Sequence, residues 1–313
     1  MEQDGQHVGL VLSGGGAKGA YQAGVWKALS ENGISHNIKV ISGTSVGALN
    51  AYVFATIGNP DVVRSFWIDN IESIPSPNFR ALSPKNIIGL SEALLSGKPF
   101  PYSGLLDHSE LIEILYRLLP KHPVALRYKV YATALQCVGG ALEVFSPEAY
   151  KIKRFSLDGN DEKSRNITKI MASCAMPWGF DPVEMDGMTF VDGGWNAMGG
   201  DNVPIAPILE KHREIRKIIV VMCNGPELDN AKLSVPSDIE VKVIRPAKQM
   251  SGAFDDVLRP IGFVSQLLGK PNPLVWSGSL SFARSYAELY FKAGYLDAKM
   301  VFPVRRRHLR LDL

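Results

Sequence analysis

Gly43-Thr44-Ser45-Val46-Gly47 places a serine between two glycines at the spacing of a strand-to-helix elbow. A serine on such a turn is exposed at the tip of a strand, and the glycines admit backbone that a side chain would block. The following helix would aim its positive end at any charge developing on the hydroxyl oxygen. The same five residues also fit a small-residue turn with Ser45 as a helix N-cap. The pentapeptide alone leaves these two readings equal.

Ser13-Gly14-Gly15-Gly16-Ala17-Lys18-Gly19 is a second candidate. A phosphate-binding P-loop needs Ser or Thr directly after its lysine, and Gly19-Ala20 stands there instead. Gly14, Gly16 and Gly19 fit G-x-G-x-x-G, but a dinucleotide loop wants an acid at the end of the next strand. That strand ends Val40-Ile41-Ser42-Gly43, without one. An oxyanion hole remains: glycine amides turned toward a tetrahedral oxygen, with Lys18 anchoring the loop or adding positive charge.

A serine nucleophile needs a base. His7, His36, His108, His122, His212 and His308 all fall in loops, helix starts or charged stretches, none at the end of a buried strand. Asp192 is better placed, because Met188-Thr189-Phe190-Val191 is an apolar run leading into Asp192-Gly193-Gly194. Partial burial would raise its pKa from about 4 toward a useful base. Taken alone, Asp-Gly-Gly reads first as a turn.

These groups need a frame. Val8 to Leu12 and Ile38 to Ser42 are short apolar runs, each followed by a glycine turn and a helical pattern, Ala17 to Glu31 and Val46 to Ile57. Strand, turn and helix, repeated, predicts a parallel sheet covered by helices. Both glycine turns then lie at the same end of neighbouring strands and can converge. Tyr128 to Val138 and Ala141 to Phe145 flank Gly139-Gly140 as a hairpin. Lys217 to Cys223 and Val241 to Ile244 are further strands, and Asn166 to Met176 and Ser279 to Met300 are helices. Segments 74–106 and 250–280 mix proline with large apolar residues and are candidate caps over a pocket or irregular connections.

The composition is that of a globular chain of 313 residues, 46% hydrophobic and 21% charged. A net charge of +3 gives no reason to expect a nucleic-acid partner. Cys137, Cys174 and Cys223 are scattered without C-x-x-C spacing, which argues against a disulfide framework or a zinc site. No Sec-type leader and no uninterrupted membrane span is visible, so the expected location is cytoplasmic or peripheral to a membrane. The tail Arg305-Arg306-Arg307-His308-Leu309-Arg310 could meet anionic lipid, although a solvated terminus is the simpler reading.

Gly14-Gly15-Gly16-Ala17-Lys18-Gly19, Gly43-Thr44-Ser45-Val46-Gly47 and Asp192-Gly193-Gly194, in that order, resemble the patatin-like phospholipase family. Ala172-Ser173-Cys174-Ala175-Met176-Pro177, with Phe180 and Pro182 following, resembles the family's small-residue helix near the catalytic pair. The family often has arginine at the position of Lys18. The resemblance covers residues 7–225, a patatin-like catalytic core. Residues 226–313 match nothing nameable and are expected to pack on that core, as a candidate lid or lipid-facing surface.

The resemblance implies an α/β fold of three layers, α/β/α, with a central, mostly parallel sheet. It implies a Ser45–Asp192 dyad without histidine and an oxyanion hole built from Gly14, Gly15, Gly16, Ala17 and Lys18, the amides of Gly15, Gly16 and Ala17 holding the oxygen. Gly43, Gly47, Gly193, Gly194, Ser173 and Pro177 would support the dyad. The reaction would be hydrolysis of a phospholipid or other lipid ester through an acyl-enzyme, with no metal or cofactor and with peripheral membrane contact. A soluble carboxylesterase or thioesterase, or a silent lipid-binding module, are the alternatives.

Overall fold

The structure is a computed structural model and describes residues 7–77, 104, 106–119, 126–138, 147–158, 163–177, 179–226, 233–252 and 279–303. The candidate caps within 74–106 and 250–280, the Ala141 to Phe145 strand and the Arg305 to Arg310 tail fall largely or wholly outside these residues.

The first strand, β1 (Val8–Leu12), runs through a short 3-10 turn into α1 (Gly19–Glu31). Asn32-Gly33 stops that helix, with Gly33 in the left-handed region. Next come β2 (Ile38–Thr44) and α2 (Val46–Thr56), whose residues from Val46 to Ala55 are buried almost throughout. The Gly58-Asn59-Pro60 that ends α2 also begins α3 (Pro60–Asn70). Asn59 caps α3 by accepting from the amides of Asp61 and Val62, and Pro60 takes the first turn, where its missing N–H costs nothing.

Two short strands, β3 (Ser76–Pro77) and β4 (Leu106–Asp107), pair as a ribbon ahead of α4 (Ser109–Leu118). Then follow β5 (Lys129–Cys137), β6 (Tyr150–Leu157), α5 (Lys163–Cys174), β7 (Val183–Met185) and β8 (Met188–Asp192). The chain closes with α6 (Ala206–Lys211), β9 (Lys217–Val221), β10 (Glu240–Ile244) and α7 (Arg284–Val301).

Eight strands form one mixed sheet in the order β10-β9-β1-β2-β5-β8-β7, with β6 on the other edge of β5. The run from β10 to β5 is parallel, and β6 and β8 are antiparallel to β5. Strand β6 is absent from the sequence reading because Lys151, Lys153 and Arg154 break its apolar signal.

The strands alternate between two cores, as a period of two requires. Leu10, Leu12, Ile219 and Val221 face the larger core beneath α1, α2, α3 and α5. Val11, Ile218 and Val220 face the smaller one, closed by Val203, Ile208 and Ile215 around α6. Both faces of the sheet are therefore covered, and the three-layer α/β/α expectation holds.

The described residues beyond 225 share this architecture. Strand β10 extends the sheet, and α7 packs across α1 at backbone contact. A Cβ on Gly24 would lie 1.9 Å from the Phe291 carbonyl oxygen, and one on Gly294 would lie 2.0 Å from that of Tyr21. Among the described residues no helix is long and apolar enough to cross a membrane.

Candidate active site

Strand β5 brings the two motifs together. One edge is taken by β6 along all but the first residue of β5, from Val130 to Cys137. The other edge is shared: β2 pairs along the first half, ending with Thr44 opposite Thr133, and β8 takes over with Asp192 opposite Ala134. The two strands run toward each other along one rail, so Ser45 and Asp192 arrive end to end.

Ser45 stands between β2 and α2 at φ 55° and ψ −129°, a conformation costing about 1–3 kcal/mol for a non-glycine residue. The flanking glycines make the elbow possible. A Cβ on Gly43 would lie 2.2 Å from the Gly47 carbonyl oxygen, and one on Gly47 would lie 2.2 Å from that of Leu12. The Ser45 amide donates to the Ser173 hydroxyl at 2.8 Å, and that hydroxyl donates to the Thr133 carbonyl at 2.6 Å. Ser173, at the end of α5, thus ties the elbow to the rail. Pro177 is buried in the turn that follows α5.

Asp192 is 6% exposed. Its amide donates to the Ala175 carbonyl at 2.8 Å, and its Oδ1 accepts from the Gly194 amide at 2.7 Å. Burial pushes its carboxyl up to about 6, against the opposing pull of hydrogen bonds from the Ser45 side chain and the Gly194 amide. Burial, and then the charge of Asp192, also drive the Cys174 thiol well up, so that sulfur stays protonated. Gly193 turns tightly over the rail, where a Cβ would lie 2.2 Å from the Thr133 carbonyl oxygen.

The glycine loop meets the same corner. Gly14 lies against Ser45: a Cβ there would be 3.2 Å from the serine Cβ. The Gly14 amide donates to Asn202 Oδ1 at 3.1 Å, and the Ala17 amide to the Ser279 carbonyl at 2.8 Å. Ala17 is thus engaged elsewhere and not turned to an oxyanion. The amides of Gly15 and Gly16 have no hydrogen-bond partner among the described residues. Lys18 is fully buried and donates to Asn224 Oδ1 at 2.6 Å, which fastens the loop to the segment after β9.

Several residues that hold this corner carry no motif. The Asp201 amide donates to the Gly193 carbonyl at 2.8 Å, and Thr44 Oγ1 donates to the Asp201 carbonyl at 2.7 Å. With Asn202 on Gly14, this pair joins all three motifs; its only sequence signal is Gly199-Gly200 beside it. Beneath the loop, Gln22 Nε2 donates to the Ser13 carbonyl at 2.7 Å, Asn50 Nδ2 to Gln22 Oε1 at 2.9 Å, and Trp67 Nε1 to Asn50 Oδ1 at 2.9 Å. Gln22 and Asn50 are both fully buried, so this chain of bonds satisfies amides that would otherwise be costly.

Ser45 opens on a small pocket lined largely by apolar side chains, among them Leu49, Trp67, Ile74, Leu111 and Phe282. His108 lines it too, which the sequence did not reveal. It does not come between the serine and the aspartate: Asp192 is acted on by Ser45 and Gly194, and His108 by the Cys174 backbone and Asp107.

The sequence profile of the patatin-like phospholipases matches residues 10–209, spanning the glycine loop, the elbow and Asp192 and ending within α6. The chain belongs to the patatin-like phospholipase family. Among its relatives is an uncharacterized NTE family protein of Mycobacterium tuberculosis, 27% identical over 249 residues, which cover 79% of this chain and 58% of that protein. A lysophospholipase of Aspergillus terreus is 57% identical over 62 residues, 20% of this chain and 4% of that one. The chain thus spans little more than half of the mycobacterial relative and a small part of the fungal one. Among solved structures, human GIVD cytosolic phospholipase A2 aligns at TM-score 0.46 and 10% identity, over 96% of this chain and 61% of that one. VipD from Legionella pneumophila aligns at TM-score 0.43 and 15% identity, over 95% and 66%.

Proposed function

We propose that this patatin-like protein is a serine-dependent lipid acyl hydrolase that releases fatty acid from phospholipid or lysophospholipid. Ser45 Oγ attacks the ester carbonyl, and Asp192 takes its proton. The amides of Gly15 and Gly16 hold the oxyanion, and the acyl chain occupies the apolar pocket. Collapse of the tetrahedral intermediate breaks the bond to the alcohol, which leaves with the proton held by Asp192. Water, deprotonated by the same carboxylate, then attacks the acyl-enzyme and frees the fatty acid and Ser45.

One observation carries this reading: a strained serine beside a buried carboxylate whose pKa is pushed up to about 6, at the mouth of an apolar pocket. A pKa near 6 lets the carboxylate be ionised at neutral pH while remaining a far better base than a solvated aspartate. The name of the fungal relative, a lysophospholipase, agrees with a lipid ester as substrate. In this reading β10 and α7 complete the core, with α7 bracing α1 behind the glycine loop, and the lipid is reached by peripheral contact with its aggregate.

The test is fatty-acid release by purified protein from vesicles of phospholipid and of lysophospholipid, beside triglyceride and acyl thioester. The expected result is turnover of the phospholipid classes, abolished by Ser45→Ala and lowered at least a thousandfold by Asp192→Asn. Turnover of short water-soluble esters alone, or turnover that survives Ser45→Ala, contradicts the assignment.

A further inference from the structure

The wall of the Ser45 pocket contains a polar ring that packing does not require. His108 is 9% exposed and stacks flat on Phe180, with centroids 4.2 Å apart and planes 5° apart. Most of the side chains that line the pocket with it, Leu111, Met176 and Phe180 among them, are apolar. A phenylalanine would serve the stacking and the burial equally well. The histidine instead brings a buried Nε2 that has no hydrogen-bond partner among the described residues. An unpaired polar atom in a protein interior is uncommon, and in a substrate pocket the bound molecule is the natural partner.

The ring's chemistry restricts that partner. Burial lowers the His108 pKa to about 4, opposed in part by a hydrogen bond from the ring to the Cys174 backbone, which leaves Nε2 unpaired, and by the Asp107 charge. The ring is therefore neutral at physiological pH and carries one N–H and one bare nitrogen. It has no positive charge to attract a phosphate. A carbonyl or ether oxygen, which only accepts, would suit one tautomer. A hydroxyl both donates and accepts, so it completes Nε2 in either tautomer.

We propose that His108 recognises a hydroxyl group on the lipid held in the Ser45 pocket, and so selects hydroxyl-bearing esters over analogues in which that hydroxyl is blocked or missing. The inference deepens the acyl-hydrolase reading and rests on it. The hydroxyl has two possible sources: the free glycerol hydroxyl of a monoacyl lipid, on the leaving-group side, or a hydroxyl borne by the acyl chain.

Binding to the Ser45→Ala protein separates these sources without depending on turnover. One arm compares a 1-acyl lysophospholipid with its 2-O-methyl ether. The other compares an ester of a hydroxylated fatty acid with the unsubstituted ester. The expected result is about tenfold tighter binding of the hydroxyl form in one arm, the scale of one added hydrogen bond. His108→Phe in the same background should erase that preference by weakening only the hydroxyl ligand. His108→Asn, which keeps a donor and an acceptor, should retain part of it and provides a second variant if the phenylalanine protein does not fold. Equal affinities in both arms overturn the proposal, as does a His108 variant that weakens every ligand alike. Hydroxyl preference in binding together with no hydrolysis by the unmodified protein would sink the proposed reaction and leave this recognition standing.

Discussion

Ser173 holds Ser45 by its backbone: the Ser173 hydroxyl accepts from the Ser45 amide and donates to the Thr133 carbonyl. One side chain therefore connects the elbow, the end of α5 and the strand against which Asp192 also pairs. The strained φ of Ser45 survives because this bond and the two flanking glycines leave the turn no other course.

Ser173→Ala removes both bonds and leaves a buried N–H and a buried carbonyl short of a partner. The expected loss of stability is about 1–3 kcal/mol, read as a lower denaturant midpoint at unchanged slope. The rate should fall more than affinity does, because the nucleophile is displaced while the pocket is intact. A variant with full kcat would show that the elbow needs no such tether.

Asp192 makes stability and activity respond oppositely to pH. Its folded-state pKa, about 6, lies above the unfolded value of about 4. The folded protein therefore holds this proton more tightly than the unfolded chain. The stability due to it is complete below pH 4 and is lost as pH rises through 6, about 3 kcal/mol in all. Asp192→Asn, which cannot ionise, should lack that decline when unfolding is followed from pH 4 to 8. Over the same range kcat/KM of the unmodified protein should rise with a midpoint near 6 and then level. A midpoint below 5 would contradict a buried base.

Gly47→Ala tests the elbow sterically. The added methyl would lie 2.2 Å from the Leu12 carbonyl oxygen, on strand backbone that cannot yield without opening the sheet. The expected cost is at least about 3 kcal/mol, seen in thermal unfolding. A cost below 1 kcal/mol would mean that α2 does not press on β1 so closely.

Gly24→Ala tests whether α7 is part of the core. Its methyl would meet the Phe291 carbonyl oxygen at 1.9 Å, so α1 and α7 must separate. Amide hydrogen exchange in α7 should accelerate relative to that of β1 and β2, and global stability should fall. Unchanged protection in α7 would place that helix outside the cooperative unit.

What the chain determined locally was legible. The order and spacing of Gly14 to Gly19, Gly43 to Gly47 and Asp192 to Gly194, and the strands and helices around them, follow from apolar periodicity and from glycine's small size, which act over a few residues. The Asn59-Pro60 start of α3 had a local signal as well, obscured because the same residues end α2. Tertiary structure alone decided the rest. It determined that β5 would be shared by β2 and β8, and that Ser279 would take the Ala17 amide and leave those of Gly15 and Gly16. It brought Asn202 to the glycine loop and put His108 in the serine's pocket. Each of these depends on partners far apart in sequence, and a hydrogen bond or a buried charge acquires its partner and its pKa only when packing closes around it.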